Sequence, residues 1–369
     1  MRSLLPRVAL ALASFWLTFV SAEIVLRKLD GVPITDPTNF VSATLRRNLL
    51  GNPLVRHHPV LGWAMRENVQ GTHGAVTTGA YGVRMNSTRI RELPAHAILA
   101  VGDSFVAGSE VADDESWPAQ LERELGEPVV NAGTGAWGVD QIVLRAEELL
   151  PVLSPHTLII GILTEDTLRN NYVLYGGGYK PYFDVVGGEL KLRGTPVPAV
   201  VKGPRDLGLL RASLGRSYLL YSSALRLDLL ERWAEDSRRY RKVHEDRVGL
   251  QISCLLMRRL AELKRRLGIR VIVLLQYGGS QILEKERLWY ASPVIDCAKR
   301  SGLEALDTYE ALHEIAERDI SAFRKLFVMH DHGRVYGHMS AHGNAFMAAL
   351  LKQDFFSGGF SFASPADYQ

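Results

Sequence analysis

Apolar residues follow two recurring patterns from residue 97 onward. Short continuous apolar runs that end at Gly or at polar residues are typical of buried parallel strands. Most runs precede a longer segment in which apolar residues recur every three or four positions, as on one face of a helix. The predicted strands span residues 97–101, 128–131, 157–161, 270–275 and 303–306. The predicted helices span residues 117–125, 140–150, about 248–267, 293–300 and 343–352.

The alternation of strands and helices predicts an α/β fold. It indicates βαβ units, and therefore a central parallel sheet covered by helices on both faces. A chain of 369 residues is long enough for one large domain with an insertion, or for two domains. We assign the α/β domain to residues 96–355 and a tail to residues 356–369. Functional groups in parallel sheets collect at the carboxyl ends of the strands, so the residues after each strand are the first candidates for chemistry.

Two segments depart from this alternation. Residues 27–95 are rich in Pro, Gly, Asn and Thr and are interpreted as an irregular approach segment. Residues 169–247 are interpreted as an insertion, in which residues 182–192 predict a hairpin over a Gly-Gly turn. The aromatic residues of the insertion belong either to a lid or platform that stacks on sugar rings, or to an ordinary core. They are Tyr179, Tyr182, Phe183 and Trp233.

The N-terminus carries an apolar segment of its own. Residues 8–20 hold no charge, follow the basic residues Arg2 and Arg7, and end in a Val-Ser-Ala run. This pattern predicts export, with residues 1–26 acting either as a cleaved signal peptide or as an anchor in the inner membrane through residues 8–26. The rest of the chain is then expected at the periplasmic or extracellular face.

Charge and cysteine content exclude several classes of protein. Lys and Arg number 43 against 40 Asp and Glu, and the resulting net charge of +3 does not favour a nucleic-acid partner. Two cysteines are too few for a disulfide scaffold or a cysteine-rich zinc module. In an oxidising compartment Cys254 and Cys297 either pair or remain two buried thiols.

A candidate nucleophile follows the first predicted strand. Ser104 lies in residues 102–105, Gly-Asp-Ser-Phe, where a tight turn exposes the hydroxyl ahead of a helix. The alternative is that Ser104 only caps that helix. The other strand ends add a Gly-rich loop at residues 131–141 and a polar stretch at residues 164–171, either of which can hold a reacting group or be a plain loop. His338, shortly before the last helix, is the natural general base for Ser104.

Together, the blocks at residues 102–104, 131–141 and 337–344 resemble three of the four blocks of the SGNH/GDSL hydrolases. Residues 58–63, 81–84 and 116–121 are similar to membrane-tethered bacterial members. The resemblance implies a flavodoxin-like three-layer sandwich and an esterase, lipase, thioesterase or carbohydrate O-acylation activity. It implies no metal and no organic cofactor. By resemblance, Ser104 is the nucleophile and contributes its own N–H to the oxyanion hole, and His338 is the base.

Three positions depart from that family pattern. The oxyanion Gly of the second block falls on Ala136, after Gly135, where a backbone N–H is retained. The Asn of the third block falls on Glu165, which cannot donate a hydrogen bond when ionised. Substitute donors would be a protonated Glu165 or a neighbouring side chain: Thr164, Arg169 or Asn170.

The acid that the family places two or three residues before the His is also absent, because Val335 and Tyr336 stand there. Either Ser104 and His338 act as a dyad, or Asp331 or another acid orients His338. We therefore expect an extracytoplasmic serine ester hydrolase or O-acyltransferase whose substrate is an acyl ester, for example on a cell-envelope polysaccharide. The alternative is a non-catalytic module that binds a glycan or a partner protein in the same cleft.

Overall fold

The computed structural model divides the chain into two compact units. One unit comprises Met1–Asn52, Gly176–Gly178 and Val200–Arg241; the other comprises Pro53–Tyr175, Tyr179–Ala199 and Lys242–Gln369. Residues 27–95 and the insertion at residues 169–247 are therefore each divided between the units. The structure describes residues 4–36, 38–40, 49, 52–71, 76–199, 209, 213–227, 229, 240–284, 286–333 and 335–357. Trp233 and residues 358–369 of the tail lie outside this part of the chain.

The elements are numbered in chain order. The strands are β1 (Val55–His58), β2 (Gly62–Met65), β3 (Ile98–Val101), β4 (Val129–Asn131), β5 (Thr157–Leu163), β6 (Tyr172–Tyr175), β7 (Gly178–Tyr179), β8 (Tyr182–Val186), β9 (Glu189–Arg193), β10 (Arg241–Lys242), β11 (Arg270–Gln276), β12 (Glu304–Asp307), β13 (Phe327–His330) and β14 (Val335–Met339). The helices are α1 (Leu4–Leu29), α2 (Ser104–Ala107), α3 (Trp117–Leu125), α4 (Val139–Leu153), α5 (Asp166–Arg169), α6 (Tyr218–Arg226), α7 (Asp246–Leu267), α8 (Gly279–Ile282), α9 (Ala291–Arg300), α10 (Tyr309–Arg318), α11 (Ile320–Lys325) and α12 (Ala341–Leu351).

A five-stranded parallel sheet forms the centre of the larger unit. Its strand order is β4-β3-β5-β11-β12, and every neighbouring pair is parallel. In order of appearance this is 2-1-3-4-5, the flavodoxin-like arrangement of a doubly wound sheet. Strands β3 and β5 are buried along their whole length, as expected when both faces are covered. The predicted α/β fold and all five predicted strands are confirmed.

The helices pack in two groups, in keeping with a sheet covered on both faces. Helix α3 contacts α12, whereas α7 contacts both α4 and α9. A disulfide between Cys254 in α7 and Cys297 in α9 links the second group, with 5.2 Å between the Cα atoms. Of the two states left open by the sequence, the structure therefore contains the paired one.

Antiparallel hairpins add to the sheet unit. Strands β8 and β9 pair from Tyr182–Arg193 to Val186–Glu189, and Gly187 and Gly188 form the turn at φ +61° and +86°. The predicted hairpin is thus confirmed, because a turn with two positive φ angles suits Gly-Gly. Strands β1 and β2 form a second hairpin, and β13 and β14 form a third, which carries His338.

In the smaller unit, α1 is anchored by polar contacts near its C-terminal end. Glu23 accepts hydrogen bonds from Ser217 Oγ and from the backbone N–H groups of Tyr218 and Leu219, each at 2.8 Å, at the start of α6. Arg27 donates to Pro33 O at 2.9 Å. The stretch Pro6–Leu29 is long and apolar enough to cross a membrane, a property that signal sequences share. Most of its large apolar side chains before Ser21 are exposed to solvent.

Candidate active site

Ser104 is the first residue of α2, immediately beyond the carboxyl end of β3. Gly102, two residues before Ser104, has no room for a side chain, because an added Cβ would lie 2.1 Å from Val106 Cγ2 and 2.6 Å from Gly161 O. Asp103 caps α2 by accepting from Phe105 N at 2.8 Å through Oδ1. The cap is therefore Asp103 and not Ser104, whose Oγ instead donates to Asp103 Oδ2 at 3.3 Å.

A buried ion cluster lies next to Ser104. Arg169 Nη1 donates to Asp103 Oδ2 at 3.1 Å, to Trp137 O at 3.0 Å and to Asp166 Oδ1 at 2.5 Å. Both carboxylates are fully buried. Burial alone would lower the pKa of Arg169, but Asp166 foremost, then the Tyr175 hydroxyl and Asp103, raise it above its ordinary value. Arg169 therefore stays charged and holds Asp103, the hydrogen-bond partner of Ser104, in place.

The Gly-rich loop lies beside Ser104. An added Cβ on Gly135 would be 3.8 Å from Ser104 Cβ. Trp63 Nε1 donates to Gly135 O at 3.0 Å, and Trp137 Nε1 donates to Trp63 O at 3.1 Å. Gly135 O and the Ala136 N–H belong to one planar peptide group, so the Trp63 indole fixes the direction of that N–H. Ala136 has φ +66°, a left-handed conformation that suits glycine better than alanine.

Glu165 lies at the end of β5, where the resemblance places an Asn. Its side chain is 48% exposed, and Arg169 Nη2 is 3.6 Å from its Oε2. Gln281 Nε2 donates to its Oε1 at 2.8 Å. Burial raises the pKa of Glu165; Arg169 opposes this effect, and the negative charge of Asp103 adds to it. A fraction of Glu165 is thus expected to carry a proton above the usual pH range of a carboxyl group.

Of the three neighbouring side chains considered as oxyanion donors, two bind elsewhere. Thr164 Oγ1 donates to Gln281 Oε1 at 2.8 Å. Asn170 Nδ2 donates to Gly249 O at 3.1 Å and to Ser253 Oγ at 2.8 Å. The third, Arg169, donates to Asp103 and to Trp137 O within the buried ion cluster.

His338 lies on β14 and packs against the residue next to Ser104. Its ring centroid is 5.4 Å from that of Phe105. Its Nδ1 is 2.8 Å from Glu110 Oε2, the same oxygen that accepts from the His338 backbone N–H at 2.9 Å. Among the residues that the structure describes, no hydrogen bond joins His338 to Ser104 Oγ. The Ser104 hydroxyl is directed to Asp103 Oδ2 instead. In enzymes that use a serine and a histidine, this contact often tightens only when substrate binds.

Acidic and basic neighbours of His338 come from two different segments. Glu110 Oε1 is 2.7 Å from Nε2 of His330, on β13. Asp331 lies on the exposed turn between β13 and β14 with φ +48°. Glu110 was not among the predicted site residues, although it follows Ser104 by only six positions. A survey of acids in the loop of the nucleophile would have included it, but nothing in the sequence indicates that this loop reaches β14.

Within the described ranges, no group of three or more His, Cys, Asp or Glu side chains could hold a metal ion. The chain matches no protein-family model and no curated protein sequence. The solved structures that it resembles include a lipolytic protein of the G-D-S-L family, a lipase/acylhydrolase and acetyl xylan esterases.

One neighbour is a lipolytic protein of the G-D-S-L family from Desulfitobacterium hafniense, with 13% identity and a TM-score of 0.35 over 70% of this chain and 98% of that one. A catalytic variant of an acetylxylan esterase from Geobacillus stearothermophilus has 17% identity and a TM-score of 0.38 over 74% and 100% of the two chains. A lipase/acylhydrolase from Enterococcus faecalis has 14% identity and a TM-score of 0.37 over 70% and 93%.

Proposed function

We propose that the protein is an extracytoplasmic serine ester hydrolase or O-acyltransferase that acts through an acyl-enzyme on Ser104. The observation that carries this proposal is the convergence of three segments that are distant in sequence. Ser104 follows β3 and lies beside Gly135, which follows β4, and Phe105, the residue after Ser104, packs against His338 of β14. Nucleophile, oxyanion donor and base are the three groups that acyl transfer requires.

The proposed reaction has two steps. Ser104 Oγ attacks the acyl carbon while its proton passes to Nε2 of His338, and the oxyanion is stabilised by the backbone N–H groups of Ser104 and Ala136. The C–O bond to the leaving alcohol breaks as His338 returns the proton to that oxygen. In the second step, water or an acceptor hydroxyl gives its proton to Nε2 of His338 as its oxygen attacks the acyl carbon. The C–O bond to Ser104 Oγ then breaks, and His338 returns the proton to that oxygen, which regenerates both residues.

Two features support a location outside the cytoplasm. Most of the large apolar side chains of α1 before Ser21 are exposed, as a signal segment or a membrane anchor requires. The Cys254–Cys297 disulfide is the state that cysteines adopt in oxidising compartments such as the periplasm. We propose that the catalytic unit faces that compartment, with the membrane as the partner of α1.

A carbohydrate ester is the substrate class that we favour. Trp289 is 54% exposed and stacks edge-on with Tyr290, the two ring centroids being 5.5 Å apart. Burial, and then the charge of Glu165, raise the pKa of Tyr290 to about 12, which is consistent with a position near the site. An exposed indole is suited to stacking on a sugar ring. Phe183, in contrast, is fully buried and belongs to the core.

The test is covalent labelling of the full-length protein by a fluorophosphonate. We expect labelling of the parent, none of Ser104→Ala, and unchanged labelling of Ser321→Ala, an exposed serine on α11. His338→Ala should hydrolyse an aryl acetate about 10²–10⁴-fold more slowly than the parent. Equal turnover by the parent and Ser104→Ala would refute the proposal. Saturable binding of a glycan without labelling would favour the binding module instead.

A further inference from the structure

The site lacks the acid that the family pattern places just before the base, yet the imidazole is not left without one. Given the function proposed above, on which this role rests, we propose that Glu110 is the positioning carboxylate of His338, and that Arg84 holds the loop that presents it. The acid of the site then comes from the nucleophile's own loop instead of from the strand that carries the base.

Glu110 contacts His338 in a way that fixes the ring. One oxygen, Oε2, accepts from the backbone N–H of His338 at 2.9 Å and lies 2.8 Å from Nδ1 of the same residue. A carboxylate at Nδ1 selects the tautomer with the proton on Nδ1, which leaves Nε2 free to accept the serine proton. The side chains of Glu110 and His338 are 31% and 33% exposed, so the pair is partly shielded from water.

Arg84 explains how the loop reaches β14. Its buried guanidinium donates to the carbonyl oxygens of Ala107 at 2.6 Å, Gly108 at 2.5 Å and Val111 at 2.7 Å. It also donates to Asp113 Oδ1 at 3.1 Å, and these four acceptors flank Glu110 on both sides.

Glu110 itself has φ +71°, a conformation that residues other than glycine adopt only where their surroundings enforce it. The hydrogen bonds of Arg84 supply that constraint.

The charges around Glu110 keep it ionised. Burial would raise its pKa, but the hydrogen bonds from the His338 backbone and ring, and then the charges of His338 and His330, lower it overall. His330 occupies the second oxygen, and the charges of Glu165 and His338 also interact. Glu110 is therefore negative over the whole range in which an imidazole gains or loses its proton.

Glu110→Gln tests the role because it removes the charge and keeps the shape. We expect kcat for an aryl acetate to fall about 10- to 100-fold while KM changes less than about threefold. A structural defect alone would not move the second readout, the pH dependence of carbethoxylation of His338, followed by mass spectrometry on the full-length protein. This pH profile should differ between the parent and Glu110→Gln, because the variant lacks the negative charge beside Nδ1.

Glu127→Gln is the matched control. Glu127 forms an exposed pair with His156 at 2.6 Å, remote from Ser104, and its variant should leave both readouts unchanged. In a double-mutant cycle, Arg84→Lys should lower kcat in the parent but add little in the Glu110→Gln background.

The role is overturned if Asp331→Asn changes the pH profile of His338 carbethoxylation and Glu110→Gln does not, or if the Arg84 and Glu110 effects on kcat simply add. Carbethoxylation does not depend on catalysis, so a parent that fluorophosphonate fails to label would refute the proposed function and still leave this pairing testable.

Discussion

Glu165 offers the sharpest test of the proposed chemistry. The family resemblance places a neutral amide donor at this position, and in the proposed mechanism a carboxylate here would put a negative charge beside a centre that becomes negative. Glu165→Gln removes that charge and supplies an N–H. The existing contact is compatible with the change, because Gln281 Nε2 donates at 2.8 Å to an oxygen that the new amide retains.

The expected gain follows from the exposure of the site. One oxyanion donor in an enclosed site contributes about 10²–10³ in kcat. Because the Glu165 side chain is 48% exposed, water already screens part of its charge and competes for the donor. We therefore expect kcat for an aryl acetate to rise about 10- to 100-fold, below the full effect of an enclosed donor, with a smaller change in KM.

The pH dependence of the hydrolysis rate should also differ between the parent and Glu165→Gln. Burial raises the pKa of Glu165, so some of the parent carries a protonated carboxyl that can donate. As pH rises through that raised pKa, the donor is lost and the charge appears, so the parent rate should fall. The amide of Glu165→Gln does not titrate, so this decline should be absent in the variant.

Initial rates from pH 5 to 9, normalised to the serine labelled by fluorophosphonate, measure both effects. Glu165→Ala is the control, since it removes the charge without adding a donor. If Glu165→Gln is no faster than Glu165→Ala, the donor argument is wrong.

Three further predictions concern stability, measured by urea unfolding of the full-length protein. Replacing Cys254 and Cys297 with Ser should cost about 2–4 kcal/mol, and reduction of the parent should cost the same; an unaffected transition would contradict the pairing. Lys180→Met should cost about 3–5 kcal/mol, because it leaves the fully buried Asp140 without its ion-pair partner, and a loss below about 1 kcal/mol would show that the pair is dispensable. Ala136→Gly should gain about 0.5–1 kcal/mol by relieving the left-handed backbone, and a loss would indicate that the alanine methyl packs favourably.

The central sheet was predictable because burial on both faces leaves a clear trace in the sequence. The run of residues 270–275 has no alternation of polar residues, and the structure buries every residue of Val271–Gln276 in β11. The hairpin over Gly187 and Gly188 was predictable for a local reason, since its turn needs two positive φ angles.

Other parts depend on contacts between distant segments. Strands β13 and β14 are partly exposed and carry mixed residues, so no period of two marks them in the sequence. Glu110 contacts His338 from a loop whose carbonyl groups bind Arg84, a residue 26 positions earlier in the chain. A sequence pattern shows only how residues are spaced along the chain. Contacts between distant segments, such as those of Arg84 and Glu110, leave no regular spacing and could not be predicted from it.

Glu110 and Glu165 both depart from the family pattern, but the two departures have different chemical consequences. A carboxylate that orients a base can come from any segment that reaches Nδ1, so the move from the expected strand to Glu110 preserves the role. A carboxylate in place of a donor reverses the sign of the interaction, and no change of segment compensates for that. Faster hydrolysis by Glu165→Gln would therefore mean that the native residue restrains attack by water. Slower turnover would mean that the carboxylate itself takes part, for example by accepting a hydrogen bond from the hydroxyl of an acyl acceptor, and acyl transfer would then be the better description of the reaction.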